Sequence, residues 1–414
     1  MRILHTSDWH LGVSLEQASR EEEHERFLDW LVELMAEKEV DVLLHGGDVF
    51  HTSQPAARSL RLYYQFIARC AFEKHLRQIV IVGGNHDSAA RLDAPRDALE
   101  MLRVYVVGGV GNQDLGWDHY LCPIKDDEGE VALVIAAMPY IHEAHLGVRT
   151  TGRKPNEIWR ELTELFTWQY SSLAEAAEQR YPGVPMITTG HLTCYPERRY
   201  EEEDAPYHTP LHLVEAVGSL PPSIFDERFS YVALGHIHKH MVIEEANAWY
   251  PGSPIPTDVV ESRTPSYVLL VDVDPYGDTK VERIEVPRWR PILEMVGSPK
   301  DVLKQIEELT WEGKLPPYLY IDFQVKTPQY DGLQRIDEIL QKYDPEHRPR
   351  VVRLKETLIR DEDEELPEEI DSEVSLEQLK PSEVFSMMYT LRHEQPPTEE
   401  LMTAFQSLLA DQPD

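Results

Sequence analysis

The sequence predicts an α/β fold: a sandwich with a parallel region and a meander, followed by a small α/β capping domain and a C-terminal helical tail. Short apolar segments alternate with amphipathic helical segments over the first half of the chain, which is typical of βαβ units. Shorter apolar segments separated by turns follow them. Near residue 361 the apolar residues almost disappear, and two short amphipathic segments come after this gap.

The first elements have clear periodicities. RILHTS, VDVLLHGGD and RQIVIVGGNHD are apolar runs that end in glycine or polar residues, as buried strands do. Between them, EEHERFLDWLVELMAEK places five apolar side chains on one helical face, and ARSLRLYYQFIARCAFEKH is a second helix. The shared face of the first helix consists of Phe27, Leu28, Leu31, Leu34 and Met35.

The segments after residue 118 are shorter and more closely spaced. DHYLCPI and VALVIAAM predict strands joined by the turn DDEGE, and a long helix is expected over about 157–180. VPMITTGH and FSYVALGH predict two further strands. Antiparallel strands are expected at AWYPGS, SYVLLVDV and KVERIEV. The first domain is expected to end after the last of them and to cover residues 1–287.

Three segments follow the first domain. Residues 288–360 predict a small α/β cap, with strands PILEMV, YLYIDFQV and RVVRLKET and helices near 299–310 and 330–343. Residues 361–371 form an acidic linker within RDEDEELPEEIDSE, which is too polar to bury a core. Residues 372–414 hold two amphipathic helices, SLEQLKPSEVFSMMYTL and TEELMTAFQSLLA, split by QPP.

Composition and charge limit the classes of protein to which this chain can belong. The 414 residues carry a formal net charge of −34, which argues against a protein that coats nucleic acid electrostatically. Residues 361–414 contribute −14 of this, so any nucleic-acid contact must be local. The three cysteines, Cys70, Cys122 and Cys194, have neither a disulfide pattern nor a zinc spacing. The start MRILHTSDWH enters a strand at once without a signal-peptide layout, so we expect a cytoplasmic protein with no membrane span.

Metal-ligand residue types follow five of the predicted strands. In an open α/β sheet, ligands bind in the crevice at the carboxyl ends of the strands. Carboxylate, amide and imidazole groups without thiolates suit Mn²⁺, Fe or Zn²⁺. Two such ions about 3.5–4 Å apart can clamp the oxygens of a phosphate, and Asp48 has the central position needed to bridge them. The candidates at these strand ends are Asp8, His10, Asp48, His51, Asn85, His86, His191, His236 and His238.

A single Asp-x-His or Gly-x-His match is weak, because most such histidines lie at the surface or are hydrogen-bonded in a core. Asp48 after two glycines could equally cap a helix. Five independent strand ends that all supply ligands are a much stronger signal. His5 and His45 lie inside predicted strands and are expected to be core or supporting residues, and His240 is expected to be a solvated histidine.

Together the motifs DWH, GDVFH, GNHD, GH and GHIH resemble the calcineurin-like metallophosphoesterase superfamily. The chain is more closely similar to the bacterial SbcD nuclease family within this superfamily. The motifs that carry this similarity are TSDWHLG, HGGDVFH, GGNHDS, TGHLT, LGHIHKH and YPGSPIP. The resemblance implies a metallophosphoesterase sandwich of two mixed sheets flanked by helices. It also implies a DNA nuclease that uses two divalent ions, Mn²⁺ in the leading hypothesis. This would be a double-strand 3′–5′ exonuclease and a single-strand or hairpin endonuclease in DNA end processing, repair, recombination and replication.

The resemblance also implies partners and roles. The helical tail would bind the ATPase SbcC, in a heterotetramer built on a homodimer. His86 would act as general acid and His51 would orient the substrate. The metal ligands would be Asp8, His10, Asp48 and His238 for one ion, and Asp48, Asn85, His191 and His236 for the other.

Two other functions stay open on the sequence. A phosphoesterase of the same fold could act on a non-DNA phosphate ester, although the cap and tail argue against a small-molecule esterase. A catalytically inactive scaffold is the other alternative, and the complete ligand set counts against it. Candidate phosphate-contacting residues in the polar loops are Arg149, Arg153, Lys154, Arg198 and Arg199.

Overall fold

The computed structural model describes residues 1–110, 116–149, 152–195, 219–326 and 332–359, together with scattered positions between 385 and 405. The acidic linker, most of the tail, and Arg198 and Arg199 lie outside the described residues. The chain divides into two compact units. One comprises Met1–Gln324 with Gln329–Glu356, and the other Val325–Pro328 with Thr357–Asp414. Within the described residues, no helix combines the length and the apolar character that crossing a bilayer requires.

The first third of the chain alternates strands and helices as its periodicity predicts. Its elements are β1 (Arg2–Thr6), β2 (Ser14–Leu15), β3 (Ala18–Ser19), α1 (Glu21–Glu37), β4 (Val42–His45), α2 (Ala57–Cys70), β5 (Gln78–Val82), α3 (Ala89–Asp93), α4 (Arg96–Glu100) and β6 (Val104–Val107). The predicted apolar face of α1 is buried throughout. The strand β6 and the short elements β2, β3, α3 and α4 were not predicted.

The middle of the chain contains shorter strands around one long helix. These elements are β7 (Leu121–Lys125), β8 (Val131–Ala136), α5 (Pro155–Arg180), β9 (Met186–His191), β10 (Phe229–Gly235), β11 (Met241–Ile243), β12 (Ala248–Tyr250), β13 (Tyr267–Val273) and β14 (Thr279–Glu285). The long helix predicted at 157–180 is therefore confirmed and begins two residues earlier, where Pro155 occupies the first turn that proline favours.

Two mixed sheets form the sandwich, as predicted. The first has the strand order β14–β13–β1–β4–β5–β6, parallel from β1 to β6 with β13 and β14 antiparallel at one edge. The second has the order β11–β12–β10–β9–β8–β7. Contrary to expectation, β12 (within AWYPGS) pairs parallel with β10 and is antiparallel only to β11. The sequence of a three-residue strand cannot specify which neighbour it joins.

The inner strands β1, β4 and β5 of the first sheet are buried on both faces. Ile3, Val42 and Leu44 pack into the core between the sheets, whereas Leu4 and Leu43 pack beneath α1 and α2. Because successive side chains of a strand point to opposite faces, this double burial requires continuous apolar runs such as VLL. Fully burying one such aliphatic side chain contributes roughly 1.5–3 kcal/mol. The sandwich core therefore holds the strand ends, and the loops that follow them, in fixed positions.

The cap has the predicted order of elements. They are β15 (Ile292–Gly297), α6 (Pro299–Glu307), β16 (Tyr318–Val325), α7 (Gly332–Leu340) and β17 (Arg350–Leu358), with a sheet order of β15–β16–β17. Tyr318 and Tyr320 pack against Leu15 and Ala18 of the β2–β3 hairpin. The Tyr318 hydroxyl also donates to the Ser19 carbonyl at 2.7 Å. The hairpin is thus a docking surface for the cap.

Candidate metal centre

The candidate ligands come from the carboxyl ends of strands in both sheets. Asp8 and His10 follow β1, Asp48 follows β4, and Asn85 follows β5. In the second sheet, His191 ends β9, and His236 and His238 follow β10. Because the parallel strands of each sheet end on the same side, these side chains meet at one seam between the sheets. Asp8, His10, Asp48 and His191 are buried there.

Four of these residues have an unusual backbone conformation. Asp8, His10, Asp48 and His236 have φ angles of 53°, 47°, 57° and 92°. Such left-handed conformations are uncommon outside glycine and cost of order 1–3 kcal/mol each. Backbone hydrogen bonds hold the first two, from Asp8 N to Gly47 O at 2.9 Å and from His10 N to Asp48 O at 3.1 Å. The fold thus maintains strain at the strand ends, as functional sites do.

One group of donor atoms converges on the first half of the site. The Nε2 atoms of His10 and His238 lie 2.9 Å apart, and His10 Nε2 lies 3.6 Å from Asp48 Oδ2. Asp8, His10 and His238 each offer a ligand atom within 4.8 Å of the others. At this distance either one nitrogen carries a proton or a cation lies beside both, because two facing lone pairs repel each other.

A second group lies on the other side of Asp48. His191 Nε2 is 3.3 Å from Asp48 Oδ2 and 2.9 Å from Asn85 Oδ1. His236 Nδ1 is 3.1 Å from the same Asn85 oxygen. The other ring nitrogen of His191 contacts the Gly46 carbonyl at 2.9 Å, which places the proton on Nδ1 and leaves Nε2 as a ligand atom in neutral imidazole. Asp48 Oδ2 therefore lies between the two groups.

Glycine is required where the strand ends come closest. A Cβ atom on Gly47, whose φ is +104°, would lie 2.3 Å from His191 Nδ1. A Cβ atom on Gly84 would lie 2.1 Å from Asp48 Oδ1. Both distances are shorter than any real contact, so the paired glycines before Asp48 and Asn85 allow the ligands to approach one another.

The electrostatics favour a charged centre. Burial alone would raise the pKa of Asp48, but the imidazoles of His191 and His10 hold it well below its usual range. Asp48 in turn raises the pKa of His191 against the effect of burial. Burial also opposes protonation of His238, yet its hydrogen bond with Glu261 and the charge of Asp8 raise its pKa to about 9. The buried Asp48 carboxylate is thus held ionised among the imidazoles, which suits a site that accepts positive charge.

His86 and His51 form the rim of the site. The backbone N–H of His86 donates to Asp48 Oδ1 at 2.9 Å, and its Nδ1 contacts the His51 carbonyl at 2.8 Å. The two rings stack with centroids 5.7 Å apart, and the His86 ring lies edge-on to His10 at 4.9 Å. Burial and the neighbouring His86 lower the pKa of His51. Both rings are partly exposed, so a substrate can reach them.

Sequence reasoning missed one supporting residue and left another undecided. Glu261 accepts from His238 Nδ1 at 2.7 Å and from the Thr257 backbone at 2.7 Å, and no local motif around it signals this role. Asp87, for which a turn or a supporting bond was expected, accepts from the backbone N–H groups of Val49, Phe50 and Gly84 at 3.0–3.1 Å. It thereby ties the loop after β4 to the loop after β5. Burial raises the pKa of Asp87 to about 7.

The remaining histidines have separate partners. His5 is fully buried and contacts the Tyr231 hydroxyl at 2.9 Å, and His45 is buried against Trp9, so both are core residues as expected. His240 is half-buried rather than solvated, because its Nδ1 contacts the Tyr250 carbonyl at 2.8 Å and its ring packs on Tyr267.

The candidate DNA-contacting residues that the structure describes near residue 150 lie at the surface. Arg149 and Lys154 are exposed, and Arg153 forms an ion pair with Glu161. Each of them fits an ordinary surface position. The three cysteines are buried and unbridged, as expected.

The donor set fits hard or borderline divalent cations. It combines carboxylates, one amide oxygen and imidazoles, with a carboxylate between the two groups. A sandwich of two mixed sheets with such a centre at its strand ends defines a metal-dependent phosphoesterase.

The comparisons with known proteins agree with this class. The calcineurin-like phosphoesterase profile matches residues 1–240, and the profile described as type 5 capsule protein repressor C-terminal domain matches residues 288–393. Proteins named as the SbcD component of the SbcCD nuclease are similar over most of the chain. The protein from Rhodobacter capsulatus is 32% identical, covering 82% of this chain and 84% of its own. The one from Escherichia coli K12 is 32% identical, covering 80% and 79%. The one from Bacillus subtilis is 25% identical, covering 82% of each. The chain belongs to the SbcD family of calcineurin-like phosphoesterases.

Proposed function

We propose that this protein is a metal-dependent DNA nuclease that acts as the SbcD component of an SbcCD complex. The observation that carries the proposal is the position of Asp48 Oδ2, within 3.6 Å of His10 Nε2 and 3.3 Å of His191 Nε2. A single carboxylate oxygen between two imidazole-containing groups suits a pair of ions that share one bridging ligand. Two-ion centres of this kind clamp phosphate esters during in-line displacement.

The proposed ligands follow the two groups of donors. One ion is held by Asp8, His10, Asp48 and His238, and the other by Asp48, Asn85, His191 and His236. When bound, Mn²⁺ ions would activate water and neutralise charge on the scissile phosphate. Mn²⁺ is the proposed metal because the donors are oxygen and imidazole without thiolate.

His86 is proposed as the general acid. Its Nδ1–H donates to the His51 carbonyl, which fixes the ring orientation. In the imidazolium form Nε2 also carries a proton, which it would donate to the leaving oxygen. His51, stacked on it, is proposed to orient the substrate. His51 and His86 each offer a nitrogen within 4.8 Å of one from His10. In this proposal neither of them is assigned to an ion, so both can serve the reacting phosphate.

The substrate proposal is duplex DNA cleaved from its 3′ end, with endonuclease activity on single strands and hairpins. Family membership supports it. The proposed domain limits are 1–287 for the nuclease, 288–360 for a DNA-binding cap and 361–371 for the linker. A cytoplasmic location belongs to the same proposal, and three buried cysteines without a disulfide suit a reducing compartment.

The tail, residues 372–414, is proposed to bind the ATPase SbcC in a heterotetramer built on a nuclease homodimer. Its apolar residues recur at near-helical intervals, and the rings of Phe385 and Phe405 stack with centroids 4.0 Å apart. Two short helices joined in this way are marginal alone, and a groove on a partner would bury their outer faces. The linker would then keep the nuclease close to the ATPase.

The decisive experiment compares substrates and metals. Purified protein is assayed on linear duplex, hairpin DNA and a nitrophenyl phosphodiester with Mn²⁺ or Mg²⁺. We expect Mn²⁺-dependent cleavage of all three. Hydrolysis of the small diester without any DNA cleavage would favour a non-DNA phosphoesterase, and no hydrolysis with both metals bound would favour a scaffold.

Deleting residues 372–414 tests the partner separately. The truncated chain should still cleave simple substrates but fail to co-purify with SbcC and lose ATP-stimulated cleavage. Unchanged affinity for SbcC would assign the tail to the nuclease's own fold.

A further inference from the structure

A cavity of about 330 Å³ lies where the first domain meets the cap, behind the loop 254–266. Four arginines line it, whereas only two carboxylates, Glu23 and Glu285, do so. In a chain with a net charge of −34, such a concentration of guanidinium groups in one cavity is unexpected. The four arginines are Arg20, Arg263, Arg288 and Arg290.

Two of the arginines form a rigid wall. Arg20 is 2% exposed, and it donates to Glu23 at 2.7 Å and to the Pro256 carbonyl at 2.7 Å. Arg290 is 7% exposed, donates to the Pro316 carbonyl at 2.7 Å and lies over the Tyr318 ring at 4.4 Å. Arg290 also forms ion pairs with Glu22 and, at 3.1 Å, with Glu23, and these pairs connect the cap to the first domain beside the cavity.

The other two arginines can interact with a ligand. Arg288 donates to the Thr264 carbonyl at 3.0 Å and forms no ion pair with any residue that the structure describes. The Arg288 residue is exposed at the surface. Its partial desolvation and the nearby Arg20 lower its pKa, while Glu285 opposes this effect. Arg263 pairs with Glu294, but that pair is solvent-exposed and contributes little free energy, so a ligand could replace it at small cost.

We propose that this cavity binds a nucleotide-sized phosphate monoester, with Arg288 as the main phosphate ligand. Guanidinium groups match phosphate oxygens in a two-bond geometry. The cavity volume is at the lower end of the range for small-molecule sites. This volume is larger than a bare phosphate needs. Trp289, Ile255 and Pro265 supply an apolar wall for the organic part. The site is distinct from the metal centre and does not depend on the nuclease proposal.

The proposal is tested by titrating dAMP into the full chain in a calorimeter. A chelator keeps the protein free of metal. We expect one dAMP bound per chain and no binding of deoxyadenosine, which lacks the phosphate. Arg288→Gln should weaken dAMP binding by about 10–100-fold, since a hydrogen bond to a charged group is lost. The matched control is Arg283→Gln, an exposed arginine outside the cavity lining, which should bind as the unmodified chain does.

Three results would overturn the proposal. Equal dAMP affinity in Arg288→Gln would place the nucleotide elsewhere, including at the metal ligands. Equal binding of deoxyadenosine would exclude phosphate recognition. Binding of a 5′-phosphorylated duplex without binding of dAMP would mean that the cavity recognises a DNA end and not a free nucleotide. Thermal unfolding of both variants verifies that each remains folded.

Discussion

The two sheets of the sandwich contribute different chemistry to the same centre. The strand ends of the first sheet supply both carboxylates, the amide and one imidazole, namely Asp8, Asp48, Asn85 and His10. Those of the second sheet supply imidazoles alone. The carboxylates of one sheet therefore supply the negative charge, and the histidines of the other complete each group of proposed ligands.

The sheets also differ in backbone geometry. Three of the four proposed ligands of the first sheet have left-handed φ angles, whereas His236 alone does so among the proposed ligands of the second sheet, and His191 lies within the regular strand β9. The strain is thus concentrated in the loops of the first sheet. Asp48, which contacts His10 on its own sheet and His191 on the other, should be the residue on which both halves depend.

Removing this shared residue should have the largest effect. Asp48→Ala should abolish nuclease activity and reduce bound metal below two ions per chain, because both groups lose a ligand. Elemental analysis and circular dichroism are the measurements, with the exposed Asp118→Ala as control. Two ions in a folded Asp48→Ala protein would contradict the bridging role.

His86 tests the chemistry without the metals. His86→Ala should keep both ions and DNA affinity while turnover falls by about 10²–10⁴-fold, the usual contribution of a general acid. Single-turnover cleavage, DNA binding and metal content are measured together, with the exposed His75→Ala as control. Loss of an ion would reassign His86 as a ligand.

Glu261 sharpens the difference between the two groups. Glu261→Gln keeps the size of the side chain but removes the charge that supports His238. Loss of such a supporting carboxylate typically lowers metal affinity by about 10–100-fold, so one of the two measured dissociation constants should change while the other stays. If both sites weaken equally, Glu261 stabilises the loop rather than one ligand.

The smallest effect concerns the seam behind the centre, where His5 of the first sheet contacts Tyr231 of the second. Burial lowers the pKa of His5 to about 3, whereas an exposed histidine has a pKa near 6.5. As the pH falls, His5 therefore becomes protonated in the unfolded chain before it does so in the folded chain. The stability due to neutral His5 is complete above pH 6.5 and declines as the pH falls towards 3.

Between pH 7.5 and 5.5 this protonation should cost about 1.4 kcal/mol of unfolding free energy. Urea unfolding of metal-free protein at both pH values measures it, and His5→Gln should show a correspondingly smaller loss. An equal loss in the variant would mean that other groups cause the acid sensitivity.

The sequence by itself determined the strand ends and the ligand types. Apolar runs followed by glycine and a polar residue are local patterns, so β1, β4, β5, β9 and β10 could be placed with their candidate ligands. Ile3 and Leu4 pack on opposite faces of the first sheet, and this also follows from the two-residue period of a strand. The cap was predicted for the same reason, since each of its strands and helices carries its own apolar periodicity.

Only the tertiary structure decided the contacts between distant segments. Glu261 supports His238 across 23 residues, and Arg290 meets Glu23 across most of the chain. The parallel pairing of β12 with β10 is likewise non-local. Such partners are chosen by the packing of whole elements, because a polar side chain has the same local sequence whether or not another segment folds against it.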